Sequence, residues 1–161
     1  MSSPESRLRE LGLTLPPVAA PAGAYVPAVR TGNYVYTAGQ LPFVDGKLLA
    51  TGKVAGEGAA GSSGTVDLET AKACARQCVL NALAAVKAEL GDLSLVTRVV
   101  KVVAFVASSP EFTAQPQVAN GASELLGEVF GDAGQHARSA VGVAVLPLDA
   151  PVEVELVVET A

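Results

Sequence analysis

The stretch Arg98-Val-Val-Lys-Val-Val-Ala-Phe-Val-Ala107 decides the fold, because it is a long run of residues that favour strands. Valine or phenylalanine occupies both of its alternating faces. A strand that is apolar on both sides is typical of a sheet that is covered on both sides. A chain of 161 residues cannot readily supply two covering layers. The sequence therefore predicts a homo-oligomer with the sheet turned inward.

Helices are predicted on either side of this strand along the chain. Apolar residues recur every three or four positions over 67–90, and Gly91 follows as a helix end. A second helix is predicted over 116–130. A short helix over 4–11 precedes a Pro- and Ala-rich connector.

The other predicted strands are rich in β-branched residues and tyrosine, and they span 25–29, 34–38, 138–146 and 152–158. Gly32-Asn33 and Asp45-Gly46 predict tight turns. The order of elements predicts an α+β sandwich, in which a mainly antiparallel sheet carries both long helices on one face. We expect residues 20–161 to form a single domain, preceded by the helix and connector of residues 1–19.

Composition weakens several function classes. The net charge is −5 and aromatic residues make up 4% of the chain, without tryptophan, which disfavours a nucleic-acid partner. Apolar stretches are too short to span a bilayer, and the first residues lack the apolar core of a secretory signal. We expect a cytoplasmic protein that does not enter membranes.

Three motifs favour structural interpretations over chemical ones. The string Gly56-x-Gly58-x-x-Gly61 resembles a dinucleotide fingerprint, but the next helix starts several residues later, so residues 55–64 are predicted to form a flexible loop. Cys74 and Cys78 are four apart on the apolar stripe of a helix, which favours buried thiols over metal ligands. His136 is the only histidine and is interpreted as a loop or strand-edge residue. We expect no metal site.

Arg138 opens a strand that contains no other charge. A guanidinium in such a setting needs compensation, which its planar fork can obtain from a ligand carboxylate or from Glu153, Glu155 or Glu159. Sequence alone leaves these two alternatives open. If the last two strands formed a simple hairpin, Arg138 and Glu153 would lie roughly 20 Å apart along it.

The chain resembles the Rid (YjgF) family of reactive-intermediate deaminases, as a divergent subgroup with an N-terminal extension and the Gly/Ser loop. The resemblance rests on these segments: Gly23-Ala24-Tyr25-Val26, Thr37-Ala38-Gly39-Gln40-Leu41-Pro42, Asn120, Ala137-Arg138-Ser139-Ala140-Val141-Gly142-Val143-Ala144-Val145-Leu146-Pro147 and Val152-Glu153-Val154-Glu155.

The resemblance implies a chorismate-mutase-like α+β fold assembled as a homotrimer with clefts between subunits. It also implies hydrolysis of small enamine or imine acids such as 2-iminopropanoate, a form of metabolite damage control, without metal or organic cofactor. Carried over by position, Arg138 holds the substrate carboxylate and Glu153 orients the attacking water. The cleft-lining residues that it implies are Tyr25, Gly39 and Asn120.

Ala38 and Ala140 depart from the family pattern, which often has serine and cysteine there. Two alternatives therefore stay open. One is a hydrolase of different specificity on the same scaffold, and the other is a non-catalytic trimer that binds small carboxylates and modulates a partner protein.

Overall fold

The computed structural model describes residues 2–56 and 64–161 of the chain. In this part of the protein, three α-helices accompany a five-stranded sheet and two small two-stranded ladders. The helices are α1 (Pro4–Glu10), α2 (Leu68–Leu90) and α3 (Gln115–Phe130). The strands are β1 (Ala28–Thr31), β2 (Tyr34–Thr37), β3 (Phe43–Val44), β4 (Lys47–Leu48), β5 (Lys53–Val54), β6 (Thr65–Val66), β7 (Val96–Ala107), β8 (Ala137–Val143) and β9 (Val152–Thr160).

The helix predictions are confirmed, and local capping explains where the helices begin and end. The Asp67 side chain accepts a hydrogen bond from the Thr70 N–H at 2.7 Å and so caps α2. Gly91 ends α2 with φ +88°, a conformation that glycine adopts without steric cost. Ser3 caps α1 in the same way, accepting from the Ser6 N–H at 3.1 Å.

The main sheet has the strand order β1-β2-β9-β7-β8. Three of its pairings are antiparallel, and the β7–β8 pairing is parallel. The prediction of a mainly antiparallel sheet is confirmed. The simple hairpin considered for the last two strands is wrong, because β7 lies between β8 and β9 and pairs with both of them.

The two strand boundaries that differ most from the sequence prediction each differ by three residues. The first strand begins at Ala28, three residues late, directly after Pro27, which has no N–H to donate to a ladder. The eighth strand ends at Val143 because its partner β7 ends opposite it at Ala107. Gly32-Asn33 and Asp45-Gly46 form the predicted tight turns.

The helices cover one face of the sheet and the core lies between them. The inward side chains of β9 are buried, and they are Val152, Val154, Leu156 and Val158. Helices α2 and α3 contribute leucines to the same cluster. Helix α1 joins this core through Leu8, which is 2% exposed, and Glu5 accepts a hydrogen bond from the Leu93 N–H at 2.9 Å.

Among the described residues, no helix packs on the opposite face of the sheet, and a small cluster of Ala107, Leu146 and Ala150 covers only one end of it; we call it the uncovered face. Tyr34, Tyr36, Val29 and Val141 point out of that face and are between 40% and 52% exposed. Glu153 and Glu155 alternate with the buried valines of β9 and share the uncovered face. The face therefore combines exposed apolar side chains with carboxylates.

Candidate active site

Arg138 lies on the outermost strand β8 and points to the helix-covered side of the sheet. It is in register with Val102, which is fully buried on that side. Its Nη1 donates hydrogen bonds to Asn120 Oδ1 at 2.8 Å and to Ser123 Oγ at 3.1 Å. Since Nη1 carries two hydrogens, these acceptors use both of them.

Helix α3 supplies both acceptors from one face. Asn120 and Ser123 are three residues apart, a spacing that stacks side chains on the same side of a helix. The predicted site residues Arg138 and Asn120 therefore meet. Ser123 was missed, since a serine inside a predicted helix carries no local signal of its partner.

No carboxylate of the described residues pairs with Arg138. Glu153, Glu155 and Glu159 alternate with buried residues of β9 and point to the uncovered face, away from Arg138. Within residues 2–56 and 64–161, Nε and Nη2 of Arg138 also have no hydrogen-bond partner. The salt bridge that the sequence left open is thus not formed in the described part of the chain.

Glu153 forms a second polar feature together with Gly39. The strand segment around Gln40 pairs with Val154 through hydrogen bonds of 2.8 Å and 3.0 Å, which brings Gly39 against the Glu153 side chain. A Cβ at Gly39 would lie 2.9 Å from Glu153 Cδ. Burial, and secondarily the nearby Glu155 carboxylate, raise the pKa of Glu153 above its ordinary value of 4.5. A carboxylate of this kind is suited to accept a proton.

Tyr25 lies far from Arg138 within the chain. It precedes β1, whereas Arg138 is on β8 at the other edge of the five-stranded sheet. The two edges are separated by about 19 Å, at about 4.8 Å for each strand. Tyr25 is 52% exposed, and its hydroxyl accepts a hydrogen bond from the Ala22 N–H at 3.2 Å.

The sequence interpretation placed His136 in a loop or at a strand edge, and it lies immediately before β8. Its Nδ1 is 2.6 Å from the Gly134 carbonyl oxygen, and its Nε2 is 2.9 Å from Ser123 Oγ. His136 is therefore connected to Arg138 through a shared serine hydroxyl. Nothing in the spacing of these residues along the chain indicates this network.

Cys74 and Cys78 are free thiols buried in the core, as predicted. Burial raises the pKa of Cys74 to about 11 and holds the pKa of Cys78 well above its ordinary value. Among the described residues, no group of three or more potential metal ligands occurs. Most of the Gly/Ser loop, residues 57–63, lies outside the described residues.

A search of the described helices finds none long and apolar enough to cross a membrane. This finding agrees with the short apolar stretches of the sequence.

The fold defines a class of α+β proteins in which helices cover one face of a mainly antiparallel sheet. Residues 5–160 match the family described as "YjgF/chorismate_mutase-like, putative endoribonuclease". The chain belongs to this YjgF family.

Relatives of known sequence or structure cover almost the whole chain. Protein TCP17 of Trypanosoma cruzi is 48% identical over 155 residues, which are 96% of this chain and 92% of that protein. The crystal structure of Atu1372 from Agrobacterium tumefaciens, titled as a protein of unknown function, has a TM-score of 0.84 at 47% identity and covers 98% of this chain and 91% of its own. A structure described as a putative endoribonuclease from Shewanella oneidensis MR-1 has a TM-score of 0.90 at 35% identity and covers 98% and 99% of the two chains.

Proposed function

We propose that the protein is a hydrolytic deaminase of small 2-imino acids, which it converts to 2-oxo acids and ammonia. The active unit is a cytoplasmic homotrimer with clefts between subunits. The observation that carries this proposal is the free edge of Arg138, a half-buried guanidinium that the described residues leave without a carboxylate.

The free edge of Arg138 fits a substrate carboxylate. Asn120 and Ser123 hold Nη1, so Nε and Nη2 stay available as two parallel donors. A planar carboxylate accepts such a pair in bidentate geometry, which fixes the orientation of the bound molecule as well as binding it. The prediction of a small carboxylate-bearing partner rests on this arrangement.

The trimer is supported by the incomplete site within one chain. Arg138 and Glu153 point to opposite faces of the sheet, so one chain cannot direct both at the same small molecule. A neighbouring copy whose own uncovered face packs against the edge strand β8 brings its own Glu153 and Gly39, or its own Tyr25, towards Arg138. The exposed tyrosines and valines of that face are typical of a surface buried between copies.

The proposed reaction needs few groups. Glu153 accepts a proton from water as the water oxygen bonds to the imine carbon, and the C=N bond becomes a C–N single bond as its nitrogen takes a proton from solvent. The carbinolamine nitrogen then takes the proton held by Glu153 and leaves as ammonia. The hydroxyl releases its proton to solvent, and its oxygen forms the carbonyl of the 2-oxo acid. Orientation of the substrate by Arg138 and proton transfer at Glu153 are each worth about a hundredfold or more in rate.

One other function fits part of the same geometry, and a second is disfavoured by the charge of the chain. A trimer that binds small carboxylates without catalysis uses Arg138 and has no need of Glu153. Nucleic-acid cleavage, the activity in the family description, is disfavoured because the chain has a net charge of −5.

The test measures ammonia release from 2-iminopropanoate and 2-iminobutanoate, which an amino-acid oxidase generates in situ. We expect acceleration over the buffer rate by the wild-type trimer and its loss in Arg138→Ala and in Glu153→Gln. Binding of 2-oxobutanoate is expected to survive in Glu153→Gln and to disappear in Arg138→Ala. A folded trimer that does not accelerate ammonia release contradicts the deaminase function, and retained binding then favours the carboxylate-binding protein.

A further inference from the structure

We propose that Ser123 and His136 are positioning residues that hold the Arg138 guanidinium in its carboxylate-binding orientation. The inference rests on the proposed role of Arg138 in binding a carboxylate. It concerns a network that the family resemblance does not assign, and it makes carboxylate binding depend on the protonation state of His136.

The hydrogen-bond partners fix the direction of each bond in the network. The Gly134 carbonyl can only accept, so His136 Nδ1, 2.6 Å away, carries a hydrogen. In the neutral ring Nε2 is then a lone pair, and Ser123 must donate its hydroxyl hydrogen to it across 2.9 Å. The lone pairs of Ser123 Oγ consequently face Arg138 Nη1 at 3.1 Å.

The result is a chain of donors that all point the same way, from Arg138 to Ser123, to His136 and to the Gly134 carbonyl. Aligned hydrogen bonds polarise one another, which strengthens each of them. A serine hydroxyl without an acceptor rotates freely, whereas the Ser123 hydroxyl is held in one orientation because it donates to the lone pair of His136 Nε2. Arg138 therefore always meets an acceptor at Ser123.

Protonation of His136 reverses one link of this chain. The imidazolium carries a hydrogen on Nε2, so Nε2 donates to Ser123 and the serine hydroxyl loses its acceptor. The ring also gains a positive charge one hydroxyl away from the guanidinium. Both changes disfavour the observed position of Arg138.

Other charged groups surround the ring. A surface cavity of about 490 Å³ is lined by His136 together with Arg98 and Glu159. Lys101 lies on β7 opposite Ala137, the residue after His136, and Asp132 lies in the preceding turn. The charged groups on the elements around His136 include Arg98, Lys101, Asp132, Arg138 and Glu159.

The first test needs no ligand and therefore stands apart from the deaminase proposal. His136 is the only histidine in the chain, so a long-range ¹H–¹⁵N spectrum of the labelled trimer shows a single imidazole. We expect the Nδ1–H tautomer at about pH 8, because the Gly134 carbonyl requires it. The Nε2–H tautomer would overturn the network, since Ser123 would then have no acceptor on the ring.

The second test measures binding of 2-oxobutanoate by calorimetry from about pH 5 to about pH 8, the range in which histidines titrate. Ser123→Ala is expected to weaken binding about tenfold at the upper pH, the loss typical of one hydrogen bond to a charged group. Ser123→Thr keeps the hydroxyl and should restore binding. Unchanged affinity in Ser123→Ala overturns the proposal.

The pH profile separates positioning from a merely structural role. His136→Gln offers an amide oxygen that can accept from Ser123 but does not titrate in this range. Binding by wild type should weaken on acidification more steeply than binding by His136→Gln, and Glu153 is present in both. Identical pH profiles of the two proteins contradict the inference. A steeper pH dependence of binding in wild type supports it, even if the protein releases no ammonia and the deaminase function is wrong.

Discussion

Gly39 and Glu153 are in direct contact, and the absence of a side chain at residue 39 leaves the space that the Glu153 carboxylate occupies. A Cβ at Gly39 would lie 2.9 Å from Glu153 Cδ and 3.2 Å from its Cγ. The backbone of Gly39 does not have a positive φ, so glycine is needed there for space and not for conformation.

Gly39→Ala should therefore displace the Glu153 carboxylate without unfolding the protein, because the end of a flexible side chain can move aside. We expect the rate of ammonia release to fall by about a hundredfold, the cost of misplacing a catalytic group by about 1 Å. Affinity for 2-oxobutanoate should change little. Gly127→Ala is a matched control because a Cβ there meets nothing within 4 Å. Wild-type rates in Gly39→Ala would contradict a catalytic role of Glu153.

The raised pKa of Glu153 predicts how stability depends on pH. The folded protein holds this proton to higher pH than the unfolded chain, so ionisation of Glu153 lowers the free energy of unfolding as pH rises above the ordinary value of 4.5. Glu153→Gln removes that loss. Chemical unfolding at a series of pH values should show that the free energy of unfolding of the variant increases relative to that of wild type as the pH rises through this window. Parallel profiles would exclude a raised pKa of Glu153.

Ionisation of the Glu153 carboxylate also sets the acid limb of the pH–activity profile. Glu153 must be ionised to accept a proton from water. Because its pKa is raised, activity should rise at a higher pH than it would with a glutamate of ordinary pKa. Removal of the Glu155 charge in Glu155→Gln lowers the pKa of Glu153, since that charge is its second cause after burial. The acid limb of kcat should then move to lower pH. If the acid limb of kcat does not move in Glu155→Gln, a group other than Glu153 is responsible for it.

The packing of α2 against α3 depends on Gly121. A Cβ at this position would lie 2.9 Å from the Lys72 carbonyl carbon and closer still to its oxygen, and both atoms belong to the backbone. Gly121→Ala should lower the free energy of unfolding by about 1–3 kcal/mol, since the helices have to move apart. Gly127→Ala on the same helix should raise it by about 0.5–1 kcal/mol. Equal effects in urea unfolding would show that the helices are not in this close contact.

Local signals predicted the helices, whereas the sheet and the site depend on partners far along the chain. Asp67 and Gly91 mark the ends of α2 in sequence as they do in the structure, because capping involves neighbouring residues. The position of β8 beside β7 has no local signature. The alternating small and β-branched residues of β8 predict a strand, but they do not indicate which strand lies beside it.

Only part of the candidate site could be predicted, because its geometry also depends on residues that are far apart along the chain. The pattern around Arg138 and Glu153 identified both residues, but the strand order decides that they face opposite sides of the sheet. Ser123 and His136 were not linked in advance, since they are 13 residues apart and meet only where α3 packs near β8.

Mixing two inactive variants tests most directly whether the active site is shared between subunits. Arg138→Ala and Glu153→Gln are unfolded together in equal amounts and refolded, with each variant refolded alone as control. In randomly assembled trimers, about one site in four combines an intact Arg138 with an intact Glu153 from the neighbouring subunit. We expect recovery of about a quarter of wild-type ammonia release, and mixed trimers as inactive as the separate variants would contradict a shared site.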